Sequence, residues 1–308
     1  MLKKIALTIL IVIVAVLTFL YKRDIPAEQL KKKYTNEQSK FINIDGVLVH
    51  YRDEGNQADS TPLVLIHGTS SSLHTWDSIA PALTEKKRVI RLDLPAFGLT
   101  GPHPQRDYSI DFYNQFIDTF LNAIGVHQYI IAGNSLGGSI AWNQTLRYPN
   151  KVKQLILINS AGYPKKNEKG NIGFKLASTP VVGEVLMKFT PRGIVKKSIE
   201  DVYSDKSKVS EDLVQRYFDL LLRDGNRQAT LDIFKQRKFG GSEKIKLIQT
   251  PTLVIWGEDD QLIDVSNAYL FQKDIRNSQL VIIPKTGHVP MEENSSAFLS
   301  AITPFIAF

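Results

Sequence analysis

The sequence predicts an α/β fold in which a mostly parallel sheet carries helices on both faces and a helical cap is inserted late in the chain. Two observations lead to this prediction. Short apolar runs typical of buried strands alternate with segments of helical periodicity over most of the chain. Between about residues 162 and 246 the alternation gives way to charged, mostly helical sequence, and it then resumes.

Length and composition fit this class and exclude several others. The 308 residues can bury a full core, and 43% hydrophobic with 22% charged residues is near the globular average. Cysteine is absent, which excludes disulfides, thiolate nucleophiles and cysteine metal sites. The histidines lack metal-ligand spacing, so we expect neither a metal nor a cofactor. The chemistry must rest on serine, histidine and carboxylates.

The formal net charge of +7 is concentrated in two basic segments, at residues 1–40 and 165–200. The remaining chain is slightly acidic, and no nucleic-acid-binding module accompanies the basic segments. We therefore expect no nucleic acid partner, and nothing in the sequence indicates an obligate protein partner. Basic residues beside a membrane, or ordinary solvated faces, explain the charge.

The N-terminal segment has the composition of a membrane-spanning helix. An uncharged run extends from Ile5 to Tyr21 between pairs of basic residues. Its length is at the lower end of what crosses a bilayer. It lacks the small-residue cleavage site of a signal peptide, which is the alternative interpretation. We predict an uncleaved single-pass anchor and a membrane localisation, with the side of the membrane left open.

The predicted domains follow from these boundaries. The anchor occupies residues 1–24, a polar linker occupies 25–40, and the main domain occupies 41–308 with its cap at about 162–246.

Eight strand-like segments lie in the main domain, and turn signals or helical segments separate them. The first two are expected to form a hairpin through Asp45-Gly46. The strands are expected at 41–44, 47–53, 62–66, 88–94, 128–132, 154–159, 252–257 and 279–283. Helices are expected at 76–87, 108–124, 139–148, 265–272 and about 296–308.

A Gly-x-Ser-x-Gly motif directly follows the fifth strand and opens a helix. The sharp turn lifts the hydroxyl of Ser135 clear of the sheet, at the positive end of that helix. Gly133 and Gly137 are expected because residues two before and two after the serine crowd each other. Ser135 is the candidate nucleophile.

A serine hydroxyl is a poor nucleophile, so it needs a base that an acid orients. Asp260 lies just past the seventh strand, and His288 lies just past the eighth. We predict that His288 takes the proton of Ser135 and that Asp260 fixes the imidazole tautomer. Asp259 and Asp264 are the alternatives for the acid.

An oxyanion hole requires backbone N–H donors aimed at the developing negative charge. Leu136, directly after the nucleophile, supplies one donor. The second is expected from Thr69, with Ser70 as the alternative, in the loop after the third strand. His67 in that loop is expected to brace it and not to act as a base.

Five segments in this order resemble the α/β-hydrolase-fold serine hydrolases of the esterase and lipase type. They are LIHGTSSSLHTW (65–76), RLDLPAFGLTGPH (91–103), AGNSLGGSIAW (132–142), LVIWGEDD (253–260) and TGHVPMEE (286–293).

This resemblance covers the chain from about residue 41 onward. It implies an eight-stranded, mostly parallel sheet with a cap inserted after the sixth strand. It also implies a catalytic triad and two oxyanion donors at the residues named above, which are Ser135, Asp260, His288, Thr69 and Leu136. The chain departs from the family at Ala96, where Gly is common, and we expect an altered turn with unchanged chemistry.

The pattern predicts hydrolysis of a small-molecule carboxylic ester through an acyl-serine intermediate, and a membrane anchor would favour apolar acyl groups. Ser135 argues against the dehalogenases and epoxide hydrolases of the family, which carry Asp there. Carbon–carbon bond hydrolases of aromatic ring-cleavage pathways have a string similar to GNSLGG, but their catalytic His commonly precedes Trp, where this chain has Val289. They remain the alternative, together with thioesterases and acyltransferases. A non-catalytic membrane-tethered binding protein is the least favoured interpretation, because the triad is complete.

Overall fold

The computed structural model describes residues 8, 21–164, 179, 182–236 and 241–307. In this part of the chain, eight strands form one sheet in the order β1-β2-β4-β3-β5-β6-β7-β8. The strands are Ser39–Ile44 (β1), Val47–Glu54 (β2), Leu63–Ile66 (β3), Val89–Leu92 (β4), Tyr129–Asn134 (β5), Val152–Ile158 (β6), Thr252–Gly257 (β7) and Ser278–Ile283 (β8). The predicted eight-stranded sheet is confirmed.

The sheet is parallel from β4 through β8, and only its first two pairings are antiparallel. β1 and β2 form the expected hairpin, in which Asp45 and Gly46 both take positive φ, as a tight two-residue turn requires. Every residue of β3 and of β5 is buried, as expected of central strands covered on both faces.

The helices lie on both faces of the sheet. They are Ala27–Tyr34 (α1), Ala80–Thr84 (α2), Ile110–Ala123 (α3), Leu136–Arg147 (α4), Val182–Phe189 (α5), Arg192–Glu200 (α6), Glu211–Leu221 (α7), Asn226–Gln236 (α8), Ser266–Asp274 (α9), Pro290–Glu293 (α10) and Ser295–Ile306 (α11). On one face, α3, α4 and α9 bury Phe116, Ile140 and Phe271. On the other face, α2 and α11 pack in a second core with Trp76 and Phe298.

Helices α5 to α8 lie in the region predicted as a cap, between β6 and β7. The segments 165–178 and 237–240 of that region fall outside the described residues. We use the word cap for residues 182–236.

The segment predicted as a polar linker contains a helix, α1, and the beginning of β1. Leu30 of α1 is 2% exposed and packs with Leu99 and Leu220. Lys33 Nζ and Tyr34 OH both donate to Asp219 of the cap, at 2.7 and 2.8 Å. The packing of Leu30 against other elements stabilises this helix. The polar composition of the segment does not reveal that contact.

The turn after β4 contains Ala96, at the position where the resemblance leads one to expect Gly. Ala96 has φ 82°, in the left-handed region that favours Gly, and its N–H donates to Gly101 O at 2.7 Å. Ala96 therefore holds a backbone conformation that is strained for a residue with a side chain.

The predicted membrane localisation is corrected by the structure. Within the described residues, no helix combines the length and the apolar composition that a bilayer crossing requires. The predicted anchor, Ile5 to Tyr21, falls outside the described residues except for positions 8 and 21. The membrane localisation rested on hydropathy alone, and neither it nor a membrane partner is supported.

Candidate active site

Ser135 lies in a sharp turn between the last residue of β5 and the first residue of α4. Its backbone has φ 56° and ψ −114°, a strained conformation for a residue with a side chain. The turn is held on both sides, because Ser135 N–H donates to Ile158 O at 3.1 Å and Ala161 N–H donates to Ser135 O at 3.0 Å. The local geometry is that of a strand-to-helix elbow.

The two glycines of the motif are needed for different steric reasons. A Cβ at Gly133 would lie 2.1 Å from Gly137 O, which is the crowding predicted from the sequence. A Cβ at Gly137 would instead lie 2.2 Å from Ile66 O and 2.6 Å from His67 O. The second glycine therefore allows α4 to pack against the end of β3.

Asp260 and His288 form a buried hydrogen-bonded pair, with 2.7 Å between Asp260 Oδ2 and His288 Nδ1. Asp260 Oδ1 accepts the backbone N–H groups of Leu262 and Ile263 at 2.8 and 3.0 Å. Asp260 Oδ2 also accepts from Asn159 Nδ2 at 2.7 Å. The carboxylate is thus fixed by four hydrogen bonds and orients the imidazole.

The two alternatives for the acid have other partners. Asp259 Oδ2 accepts from Ser204 Oγ at 2.6 Å. Asp264 Oδ1 accepts the N–H of Ser266, at the first turn of α9, at 2.9 Å. Of the three candidate carboxylates, Asp260 is the one that contacts His288.

A side-chain amide links the His288 loop to the elbow. Asn134, the residue before Ser135, donates from Nδ2 to His288 O at 3.0 Å and to Ile158 O at 3.2 Å. His288 Nε2 is buried and has no hydrogen-bond partner among the described residues, so it is not bonded to Ser135 Oγ. Because Nδ1 is occupied by Asp260, Nε2 is the nitrogen left for proton transfer.

The two expected oxyanion donors lie beside the elbow. Leu136 is the first residue of α4, where backbone N–H groups have no acceptor within the helix. Thr69 and Ser70 follow Gly68, and a Cβ placed on Gly68 would lie 3.1 Å from Ser135 Cβ. The loop with both candidate second donors therefore runs against the nucleophile.

His67 braces this loop from inside. Its Nδ1 lies 2.8 Å from Gly68 O, and its Nε2 lies 3.0 Å from Leu94 N, so Nδ1–H donates and Nε2 accepts. Complete burial lowers the pKa of His67, which keeps the ring neutral.

Asn159 and Asn134 were not identified from the sequence. Asn159 is fully buried with φ 43°, donates to Asp260 and accepts Gly257 N–H at 3.2 Å. Both asparagines sit at or just past the ends of parallel strands, β5 and β6. That position is the only sequence signal that could have identified them.

A second Ser–His–Asp arrangement lies away from the elbow. His50 Nδ1 lies 2.7 Å from Asp93 Oδ2, and His50 Nε2 lies 3.1 Å from Ser39 Oγ. Ser39 Oγ also accepts from Asn36 N–H at 3.2 Å and Arg52 Nε at 3.4 Å, so its lone pairs are occupied. This arrangement is structural, and among the described residues no cluster of three or more His, Cys, Asp or Glu could hold a metal ion.

A protein-family model described as alpha/beta hydrolase fold matches residues 61–295 of this chain. Lipase 1 of Psychrobacter immobilis is 30% identical over 257 residues, 79% of this chain and 75% of the lipase. The 2-hydroxy-6-oxo-6-(2'-aminophenyl)hexa-2,4-dienoic acid hydrolase of Metapseudomonas resinovorans is 27% identical over 291 residues, 91% of this chain and 95% of that enzyme. Among solved structures, a meta-cleavage product hydrolase of Pseudomonas fluorescens has a TM-score of 0.77 at 25% identity, covering 88% of this chain and 98% of that chain.

Proposed function

The chain belongs to the alpha/beta hydrolase fold family and is a hydrolase, and on that premise we propose that it cleaves carboxylic esters through Ser135, His288 and Asp260. One observation carries the proposal. The imidazole of His288 is fixed by the buried carboxylate of Asp260 at 2.7 Å, and its Nε2 has no partner among the described residues. The loop that carries His288 is hydrogen-bonded to Asn134, the residue before the strained Ser135.

In the proposed acylation step, Ser135 Oγ attacks the ester carbonyl carbon while His288 Nε2 takes the hydroxyl proton. Asp260 keeps Nδ1 protonated and stabilises the imidazolium that forms. His288 then returns the proton to the alcohol oxygen, which leaves as the acyl-serine forms.

In the proposed deacylation step, His288 takes a proton from water, and the resulting hydroxide attacks the acyl-serine. The carboxylic acid leaves and Ser135 regains its proton. The backbone N–H groups of Leu136 and Thr69 hold the oxyanion in both steps. Each such donor contributes about 3 kcal/mol to transition-state stabilisation.

An apolar acyl group is the substrate chemistry that we propose, and the lipase relative supports it. A membrane anchor lends it no support, because no helix of the described residues could span a membrane.

Carbon–carbon bond hydrolysis is the second candidate. The relative that covers 91% of this chain acts, by its name, on a dienoic acid. The same serine, histidine and aspartate would serve, and Val289 after the histidine is the departure that weighs against this reaction. Thioesters and acyl acceptors other than water would use the same acyl-serine.

The test is hydrolysis of p-nitrophenyl esters from acetyl to palmitoyl by the wild-type protein and by Ser135→Ala. We expect Ser135→Ala to lose at least a thousandfold in kcat/KM. Ser39→Ala is the matched control, because it removes the serine of the second Ser–His–Asp arrangement and should retain the activity. Activity that survives Ser135→Ala would refute the nucleophile. Cleavage of a meta-cleavage product without cleavage of any ester would replace ester hydrolysis by the second candidate.

A further inference from the structure

The loop that carries His288 is held by the cap as well as by the sheet. His288 N–H donates to Val202 O, between α6 and α7 of the cap, at 2.7 Å. One residue earlier, Gly287 N–H donates to Glu293 Oε2 at 2.6 Å. The other oxygen of the same carboxylate, Glu293 Oε1, accepts Asp205 N–H of the cap at 2.7 Å. One side chain therefore bridges the His288 loop and the cap.

Glu293 is a buried acidic residue, which is uncommon in a protein interior. It is 4% exposed, and it forms no ion pair among the described residues. Lys208 donates from Nζ to the backbone carbonyl of Glu293 at 2.9 Å, and the two carboxylate oxygens accept the two N–H groups. A buried carboxylate requires such donors, and charge-assisted bonds of this length are stronger than neutral ones.

The His288 loop and the cap are in close backbone contact at Gly287. A Cβ at Gly287 would lie 2.4 Å from Val202 O and 2.8 Å from Ser204 N, so the two backbones touch. Any shift of residues 202–205 must therefore be transmitted to Gly287 and to the adjacent His288.

We propose that Glu293 is a positioning residue for His288. Its carboxylate fixes the backbone that carries the imidazole, and the cap segment 202–205 forms the other half of this clamp. The inference rests on the proposed function, in which His288 is the base. It follows that a displacement of the cap segment 202–205 also displaces His288, the proton acceptor.

The neighbouring carboxylate provides the matched control. Glu292 accepts from Tyr203 OH at 2.6 Å and from Tyr217 OH at 3.0 Å, both in the cap. It therefore ties the same helix, α10, to the same cap, but its side chain contacts neither Gly287 nor His288. A glutamine at this position can still bond both tyrosine hydroxyls, so segment 202–205 should keep its place. Other acidic groups around His288 are Asp260, bonded to its Nδ1, and Asp259, bonded to Ser204.

The test compares Glu293→Gln, Glu293→Asp and Glu292→Gln in the full chain. The amide of Glu293→Gln can accept one N–H group, but its NH₂ group faces the other donor, so one buried N–H is left unpaired. Aspartate keeps the charge but is too short to reach both N–H groups. Two measurements are made on each variant. NMR records the proton resonance of His288 Nδ1–H, and ester hydrolysis gives kcat and KM.

We expect Glu293→Gln to broaden or shift the Nδ1–H resonance and to lower kcat about 10- to 100-fold, with KM within about twofold. Glu293→Asp should show a smaller loss in the same direction. Glu292→Gln should keep the resonance and at least about a third of kcat.

Three outcomes would overturn the proposal. One is an unchanged resonance and kcat in Glu293→Gln. Another, should that variant fail to fold, is an unchanged resonance and kcat in Glu293→Asp. The third is an equal loss in Glu292→Gln. Because the resonance needs no substrate, it tests the positioning of His288 even if the wild-type protein cleaves no ester.

Discussion

At the scale of single residues, the candidate site depends on amide side chains that hold its charged groups. Asn159 donates to Asp260 and accepts Gly257 N–H, so it joins the ends of β6 and β7. Removing it leaves the N–H of Gly257 buried and unpaired and takes one of four hydrogen bonds from Asp260.

We expect Asn159→Ala to lower kcat about tenfold and to destabilise the fold by about 1–3 kcal/mol. Ester hydrolysis and urea unfolding measure the two effects. Asn143→Ala, which removes an amide bonded to Ser139 O within α4, is the control and should change neither by much. Unchanged kcat in Asn159→Ala would mean that Asp260 does not need this partner.

A second residue-scale feature is the buried histidine next to α1. His74 is 6% exposed, its Nε2–H donates to Tyr34 O at 2.9 Å, and its Nδ1 lies 3.2 Å from Ser72 Oγ. Burial lowers the pKa of His74 from 6.5 to about 4. As pH falls below the unfolded-state value, the unfolded chain binds a proton that the folded chain does not.

His74 should therefore make the protein less stable as the pH falls from about 6.5 to about 4, by up to roughly 3 kcal/mol, with the full stability present above pH 6.5. Urea unfolding across this range in His74→Gln should show a flatter dependence on pH than in the wild type. His127→Gln, which replaces an exposed histidine, should leave the slope unchanged. Equal slopes in the wild type and His74→Gln would contradict the assignment.

At the scale of elements, the packing of α4 on the sheet depends on the absence of a side chain at Gly137. Two backbone carbonyls, of Ile66 and His67, lie 2.2 and 2.6 Å from the position of a Cβ there. Backbone atoms at the end of a central strand cannot move aside as a flexible side chain can.

We expect Gly137→Ala to destabilise the fold by more than about 3 kcal/mol, since α4 must move away from β3. Gly193→Ala is the control, because nothing lies within 4 Å of a Cβ at that position in α6. Alanine there should be neutral or stabilising by up to about 1 kcal/mol. Equal midpoints of chemical unfolding for the two variants would show that α4 tolerates the added methyl group.

At the scale of the whole molecule, the described N-terminal segment and the cap are joined by one guanidinium group. Arg227 of α8 is 8% exposed and donates to Asp24 Oδ1 and Lys22 O, both at 2.8 Å. It also donates to Thr190 Oγ1 at 3.1 Å and to Lys188 O at 3.2 Å. One side chain thus holds two cap segments and the chain that precedes α1.

Arg227→Met should expose the segment before α1 to limited proteolysis and destabilise the protein by about 1–3 kcal/mol, because it removes a nearly buried donor group from four acceptors. Arg192→Met, which removes a half-exposed arginine paired with Glu211, should cost no more than about 1 kcal/mol. The same cleavage rate in Arg227→Met as in the wild type would mean that the other contacts of this segment suffice.

The sequence alone determined the features that depend on neighbours along the chain. Apolar runs and turn residues specified the eight strands, and the glycine spacing specified the elbow at Ser135, because strand, helix and turn chemistry act over a few residues. Hydropathy alone also led to the membrane localisation that the described structure does not support.

Only the tertiary structure decided which groups meet across long stretches of chain. Three neighbouring carboxylates were candidates for the acid, and packing brought Asp260 to His288. The roles of Asn159 and Glu293, and the helix in the segment predicted as a linker, have the same origin. Their partners lie in other elements, so the contacts depend on how strands and helices pack, which local periodicity does not encode.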